Sequence, residues 1–328
     1  MIYKVSVIVP IYGVERFIAR AVDTMMRQTL TEVEFVFVDD CTPDNSIDIL
    51  QDVISRYPSR KNDIQIIRNG HNMGLPASRN IGLKVARGEY VFHWDSDDYA
   101  EVVMLEEMYD FAKLYNVDVV WTDWFLTFER SERYMRQPSY PTAHEALRSM
   151  LGGAMKYNVW NKLVRRSIYI DNNIEFPSGF GMGEDLTMLL VFAFAREVRY
   201  LNRAYYHYLK INAQAFSHNI KPEHFGALKR NVSWITAQLR ELKGESIDDE
   251  LAFLKLESKY PLIAASGDFA IYRLWNEWFP EANEYIGKNG NIGMRSRILQ
   301  KLAYKKQYWA LWIHYQLVIR FIYGVIYR

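Results

Sequence analysis

One cysteine, Cys41, stands among the 328 residues. No disulfide can form within the chain, and a reducing compartment is the default expectation. No apolar run reaches ~18 residues, which argues against a helix that spans a bilayer. The opening "MIYKVSVIVPIYG" carries an apolar run too short for a signal peptide and turns at once. It reads as a first strand, and the expected location is the cytoplasm. Glycine is scarce where a phosphate loop would need it: a dinucleotide fold asks for Gly-x-Gly-x-x-Gly after its first strand, and "PIYGVERF" has one glycine. A P-loop is also lacking, so hydride transfer and P-loop chemistry are demoted. Net charge is nearly absent, 40 basic against 39 acidic residues, so no global field points to nucleic acid. One local absence stands out. Residues 285–328 contain eight Lys/Arg and no Asp/Glu, leaving −7 on the first 284. A basic, aromatic tail on an acidic body suggests a partner of its own.

What is present is a large core: 49% of residues are hydrophobic, enough for one large domain or two. The first 125 residues alternate strand and helix. "VSVIVP" (5–10), "FVFVDD" (35–40), "IQIIRN" (64–69), "EYVFHW" (89–94) and "VDVVWTD" (117–123) read as strands. Helical spacing covers 15–27, 45–57, 76–86 and 101–115, with Asn45 or Ser46 as N-cap and Pro76 in a first turn. Such a doubly wound α/β pattern binds its ligand at the carboxyl ends of the strands. The polar residues there are Tyr12, Asp39, Asp40, Asn69, His71, Asn72, Asp95, Asp97 and Asp98. Residues 126–225 read as mixed and loop-rich, and from about 226 the chain reads as helical.

The stretch "DSDD" (95–98) crowds three carboxylates after an apolar strand. Mg²⁺ or Mn²⁺ takes oxygen ligands, often one or two carboxylates, with substrate phosphate completing the shell. The alternative is that Asp97 or Asp98 caps the helix beginning near Ala100. Asp40 could accept from a base N–H with Tyr12 stacking nearby, or belong to a loop of turn formers. Arg79 reaches base or phosphate, or is a surface arginine. "GFGMGEDLTMLL" (179–190) leads glycine-rich backbone into Glu184-Asp185. That pair is either a helix start with favourable acids or a general base able to take a proton from an acceptor hydroxyl.

Together these segments resemble the family-2 glycosyltransferases, inverting enzymes of the GT-A fold. The resemblance runs from about Val5 to about Ser217. It rests on "VSVIVPIYGVERFIARAVDTMMRQTL", "FVFVDDCTPDNS", "NMGLPASRNIGLKVARGEYVFHWDSDD", "VWNKLVRRSIYIDNNIEF" and "GEDL", in that order. It implies a doubly wound, Rossmann-like mixed sheet over 1–225, followed by a helical region over 226–328. It implies that Pro10, Tyr12, Glu15, Asp40 and Arg79 line the nucleoside of a nucleotide-sugar, usually a uridine. Asp95 and Asp97 would meet ribose and metal, with Asp98 beside them and Asp97 or Asp98 as the Mn²⁺ or Mg²⁺ ligand. Asp185 would be the catalytic base. Trp160, Asn161, Lys162 and Glu184 would border donor sugar or acceptor, the alternative for Trp160 and Lys162 being a core tryptophan and a solvated lysine. The acceptor implied is a hydroxyl of a glycan or lipid-linked glycan in bacterial capsule, O-antigen or exopolysaccharide synthesis.

The chain also departs from the pattern. Leu209 stands where an arginine is common, leaving His207 or Lys210 for the diphosphate. His93 and Trp94 are unusual in their strand, and His93 reads as a hydrogen-bonded strand histidine. Two other classes share features: a non-catalytic sugar-nucleotide-binding module, which needs no base, and a sugar nucleotidyltransferase, which needs a glycine-rich basic signature after the first strand. In the tail, helical spacing groups Trp309, Trp312, Tyr315 and Ile319. Such a helix fits peripheral contact with a membrane interface, or a core or homo-oligomer contact.

Overall fold

The computed structural model describes residues 3–177, 183–211 and 222–326. Its chain order begins β1 (Val5–Ile11), α1 (Ile18–Met26), β2 (Val33–Asp39), α2 (Ser46–Ser55), β3 (Ile64–Arg68), α3 (Leu75–Val85) and β4 (Tyr90–His93). It continues with β5 (Tyr99–Ala100), α4 (Met104–Tyr115), β6 (Val119–Thr127), β7 (Glu132–Met135), α5 (Ala143–Leu151), β8 (Lys162–Arg165) and α6 (Arg166–Asp171). Then come α7 (Thr187–Phe194), β9 (Val198–Leu209), α8 (Pro222–Lys243), α9 (Asp248–Ala264), α10 (Phe269–Glu277), α11 (Met294–Tyr304) and α12 (Tyr308–His314). A π-helical stretch, Tyr315–Ile326, follows α12.

Two compact units result. One comprises Met1–Ala146 with Tyr157–Ala227, the other Leu147–Lys156 with Leu228–Arg328. The first holds the sheet, ordered β3-β2-β1-β4-β8-β6-β9-β5 with β7 on β6. Strands β3, β2, β1 and β4 run parallel, joined in chain order by the crossover helices α1, α2 and α3. Every residue of β1 and β2 is buried. Beyond β4 the sheet is mixed: β8 is antiparallel to both β4 and β6, while β9 runs parallel to β6.

The loop-rich expectation for 126–225 misses β8 and the twelve-residue β9. "VRYLNRAYYHYL" has charges and asparagine interrupting its alternation, and the pairing with β6 shifts register around Asp123, so no clean period marks it. Helix α3 lies close on β1, because a Cβ at Gly82 would sit 2.5 Å from Ile8 Cγ2. That close approach fixes the height of Arg79, one turn earlier.

The second unit is helical. Its buried Lys259 donates to Trp278 O (2.6 Å) and Asn283 Oδ1 (2.7 Å). Asn289 Nδ2 donates to Gly152 O (3.0 Å), and Arg148 pairs with Glu250, so 147–156 pack with the later helices.

Candidate active site

After β4 the chain turns through Trp94, Asp95, Ser96, Asp97 and Asp98 before β5 pairs with β9, Tyr99 opposite His207. Asp98 is buried; its Oδ1 accepts from the Leu209 amide (2.7 Å), while Oδ2 has no hydrogen-bond partner. Burial, reinforced by Asp97 and Asp95, lifts its carboxyl well above the usual carboxylate range. The Asp95 amide donates to Tyr206 Oη (3.0 Å), and Trp94 Nε1 donates to Asp98 O (3.2 Å). Neither Asp97 nor Asp98 caps the next helix. Helix α4 starts at Met104, its N-cap is Val103, and no side chain caps it.

Arg79 is the hub. It is 1% exposed, and its Nη2 donates to Asp95 Oδ1 at 2.8 Å, so it is no surface arginine. Its Nε and Nη1 have no hydrogen-bond partner. Burial opposes its charge, but Asp95, Glu184 and Asp185 outweigh it and hold the guanidinium above its ordinary value. Glu184 and Asp185 form a single turn of 3₁₀ helix at the start of α7. Burial and repulsion from Asp185 push Glu184 up to about 8. Burial pushes Asp185 up to about 6, against the pull of Arg79 and Lys162. The Val159 amide donates to Asp185 Oδ1 (3.3 Å). Lys162, at the start of β8, donates to Asn158 O (2.7 Å) and Asn161 Oδ1 (2.9 Å). It is buried, not solvated, and burial lowers its ammonium to about 7 while Asp185 draws it up. Asn161 is anchored in turn by Nδ2 on Thr122 O (2.8 Å). Arg79, Asp95, Lys162, Glu184 and Asp185 thus converge although up to about a hundred residues separate them. Gly179 and Gly181 lie outside the described residues.

The flanking loops hold the other expected residues. Buried Asp40 accepts at Oδ1 from Asn69 Nδ2 and the Met73 amide, and at Oδ2 from the Gly74 amide, each at 2.8 Å. A carboxylate has about four lone-pair sites, so one remains for a ligand. Gly74, at φ 87°, makes this turn into α3. Glu15 Oε2 accepts from the Asn45 amide (3.1 Å), and Asp44 Oδ1 accepts from the Ser46 amide (3.2 Å). These two acids serve the start of α2; the Asn45 side chain makes no cap hydrogen bond. Pro10 is buried in β1, and Tyr12 just beyond it is exposed.

Three expected residues remain. His207 is tied at both ring nitrogens, Nδ1 to Glu132 (2.8 Å) and Nε2 to Glu101 (3.2 Å). It is also stacked between Tyr99 and Phe125. No ring nitrogen is left for a diphosphate, which corrects that expectation. Lys210 stays in play: burial holds its ammonium below its ordinary value, and Asp98 offsets part of that. Trp160 packs on Tyr206 (ring centroids 4.9 Å) and Tyr208 (5.1 Å) and is buried, matching the core alternative.

Some residues of the site escape sequence reading. Tyr206 meets both Asp95 and Trp160; only recognising β9 as a strand would have shown it. Asn80 and Phe176 exchange a reciprocal pair, Asn80 Nδ2 to Phe176 O (2.9 Å) and Phe176 N to Asn80 Oδ1 (2.8 Å). That pair ties α3 to the segment leading toward Glu184. His93 is buried with neither nitrogen hydrogen-bonded, contrary to expectation. It packs edge-on against Phe176 and Tyr169, and burial with nearby Arg79 keeps its imidazole neutral.

Residues 6–187 match the model of Glycosyl transferase family 2. The chain belongs to that family.

A cholesterol galactosyltransferase of Borreliella burgdorferi is 32% identical over 219 residues, which cover 62% of this chain and 59% of that protein. The chain spans about three-fifths of the length of the first curated relatives it matches. Among solved structures, Staphylococcus aureus TarS 1–349 in complex with UDP-GlcNAc superposes with a TM-score of 0.69 at 22% identity, covering 95% of this chain and 91% of that one. The mannosyltransferase PcManGT of Pyrobaculum calidifontis, in complex with GDP-Man and Mn²⁺, superposes at 0.52 and 13% identity over 96% and 87% of the two chains. The family-2 chain therefore has the GT-A fold, with a helical C-terminal region.

A divalent cation fits the strand-end acids as a partial shell. Among the described residues no three His, Cys, Asp or Glu side chains form a ready-made cage. Hard cations nonetheless bind through one or two carboxylates plus substrate oxygens. The buried, unpartnered Oδ2 of Asp98 beside Asp97 and Asp95 supplies the oxygen donors such a cation requires.

Proposed function

We propose that this chain is an inverting glycosyltransferase that moves a sugar from a nucleotide-sugar, a UDP-sugar first among donors, to a hydroxyl of a glycan or lipid-linked glycan. The observation that carries this is the Glu184-Asp185 pair facing the Arg79–Asp95 ion pair at the carboxyl ends of the parallel strands. The crystal structure of TarS with UDP-GlcNAc supports the choice of donor class.

In this reading Asp185 takes the proton of the acceptor hydroxyl. The freed oxygen bonds to the anomeric carbon as the bond to the leaving phosphate oxygen breaks, inverting the configuration. A base near 6 is largely ionised at neutral pH and still basic enough to accept that proton. Arg79 fixes Asp95, and the Asp40 turn with exposed Tyr12 offers an acceptor and a ring face to the nucleobase. Lys162 and Asn161 border the base. Lys210, at the end of β9 and within the field of Asp98, is the diphosphate contact in place of His207. Asp97 and Asp98 would hold Mn²⁺ or Mg²⁺, which when bound neutralises charge on the leaving diphosphate. The 1–225 and 226–328 division is taken as catalytic and accessory, with the enzyme working peripherally at the inner face of a cytoplasmic membrane.

Calorimetric titration with UDP, GDP, CDP and TDP, each with and without Mn²⁺, tests the reading. UDP binding that tightens with Mn²⁺, and UDP release on supplying donor and acceptor, is the expected result. Pyrophosphate release would instead mean nucleotidyl transfer, and failure to bind any nucleotide would remove the proposal.

A further inference from the structure

In the helical unit, α11 and α12 lie either side of a tight turn at Lys306 (φ 56°). Asn276 pins the pair, its Nδ2 on Ala303 O (2.8 Å) and Tyr308 Oη (3.1 Å), and Arg295 Nε donates to His314 Nε2 (2.9 Å). Tyr315 packs inward over Gly267, where a Cβ would lie 2.6 Å from its ring. The outward stripe therefore keeps only part of the one that sequence spacing suggests. Trp309 (62% exposed), Trp312 (42%), Ile313 (42%), Leu317 (58%) and Phe321 (56%) face solvent, whereas Tyr315 and Ile319 are half-buried. The repeat Trp309–Ile313–Leu317–Phe321 advances by four, and the wider π-helical turn offsets the drift a pure α-helix would give. Met294, Ile298 and Tyr304 of α11 are exposed as well. So many large apolar groups on one short helical hairpin exceed the scattered exposure of a free surface.

Charge selects what covers them. Lys301, Lys305, Lys306, Arg295 and Arg320 are exposed among these residues, and 285–328 contain no acid. Packing two copies of this face together would place cation on cation. An anionic surface satisfies both features: tryptophan and tyrosine settle at headgroup level while lysine stems reach outward. A groove lined by Arg273, Lys306, Tyr304 and Tyr308, with Glu277 its acid, opens at the same turn. No described helix is long and apolar enough to cross a membrane.

We propose that residues 294–321 are a docking surface for an anionic lipid bilayer, lying in its interface. The inference does not depend on the transfer reading, because vesicle binding is measured without donor or acceptor. The test is flotation of the full chain with vesicles of phosphatidylcholine alone or mixed with phosphatidylglycerol, at low and high salt. Binding to the mixed vesicles is expected, weakening with salt. Each basic side chain near the surface contributes roughly fivefold, so Lys301→Gln with Lys305→Gln should lower partitioning by at least about tenfold. Leu317→Ser with Phe321→Ser should lower it comparably, with circular dichroism and UDP binding unchanged because both side chains are exposed. Equal binding to neutral vesicles, or none to anionic ones, would overturn the proposal. So would a dimer in light scattering that the Leu317/Phe321 variant dissolves while vesicle binding is absent.

Discussion

In the sheet-bearing unit the buried charges Arg79, Asp98 and Lys162 stand out; in the helical unit, beside a buried Lys259, it is the exposed aromatics Trp309, Trp312 and Phe321. Each breaks the ordinary rule in its own direction, and unburied apolar groups or buried polar ones are the informative exceptions. Burial alone does not mark function, as Lys259 shows. It is as buried as Arg79, yet its ammonium reaches Trp278 O and Asn283 Oδ1 and lies over the Trp275 ring. Arg79 instead keeps Nε and Nη1 unmatched, and Asp98 keeps Oδ2 unmatched. Leaving a buried polar atom unpaired costs about 1–3 kcal/mol, a cost that Lys259 avoids and these three atoms carry.

The comparison can be broken most severely at the proposed base. Asp185→Asn should lower kcat/KM by about 10²–10⁴-fold while the UDP titration stays close to wild type; a near-normal rate would remove Asp185 from the mechanism. In the unaltered protein the same quantity should fall about tenfold per pH unit below about 6, because the base must be ionised. A limb near pH 4 would mean that burial does not raise this carboxyl.

Stability separates the two kinds of buried charge. Arg79→Leu strips Asp95 of its partner and should cost about 3 kcal/mol, read by urea denaturation. Lys259→Met leaves two acceptors unmatched and should cost about 1–3 kcal/mol. Burial lowers the Lys259 ammonium to about 7, so folding favours the neutral amine. The unfolded chain then binds more protons between pH 7 and its own lysine value, and stability should rise with pH through that window. The methionine variant should lose that rise. Smallest of all, Trp309→Ser should shift stability by less than about 0.5 kcal/mol. A large loss there would show that the ring is part of a packed core.

Strands β1, β2 and β4 were legible because each is a nearly continuous apolar run, the mark of a strand buried on both faces, and β3 because isoleucine fills three of its five positions at the partly exposed sheet edge. The acids after β4 were legible as a cluster, and so was the Glu184-Asp185 pair. What each acid does was not. Asp98 receives its hydrogen bond from Leu209, 111 residues away, at the end of a strand whose pattern hides it. The capping role open to Asp97 and Asp98 disappears because β5 intervenes before α4. His207 is by residue type a phosphate partner, but Glu101 and Glu132, on separate segments, occupy its nitrogens.

The sequence by itself determined the alternation of strand and helix, the family and the residue types of the site, since all three rest on local pattern and side-chain chemistry. Only the tertiary structure decided which carboxylates meet Arg79, which lysine is buried beside Asp185, and which stripe of the tail faces water. Those outcomes depend on burial and on charges within a few ångströms across long loops, quantities that no local window of residues contains.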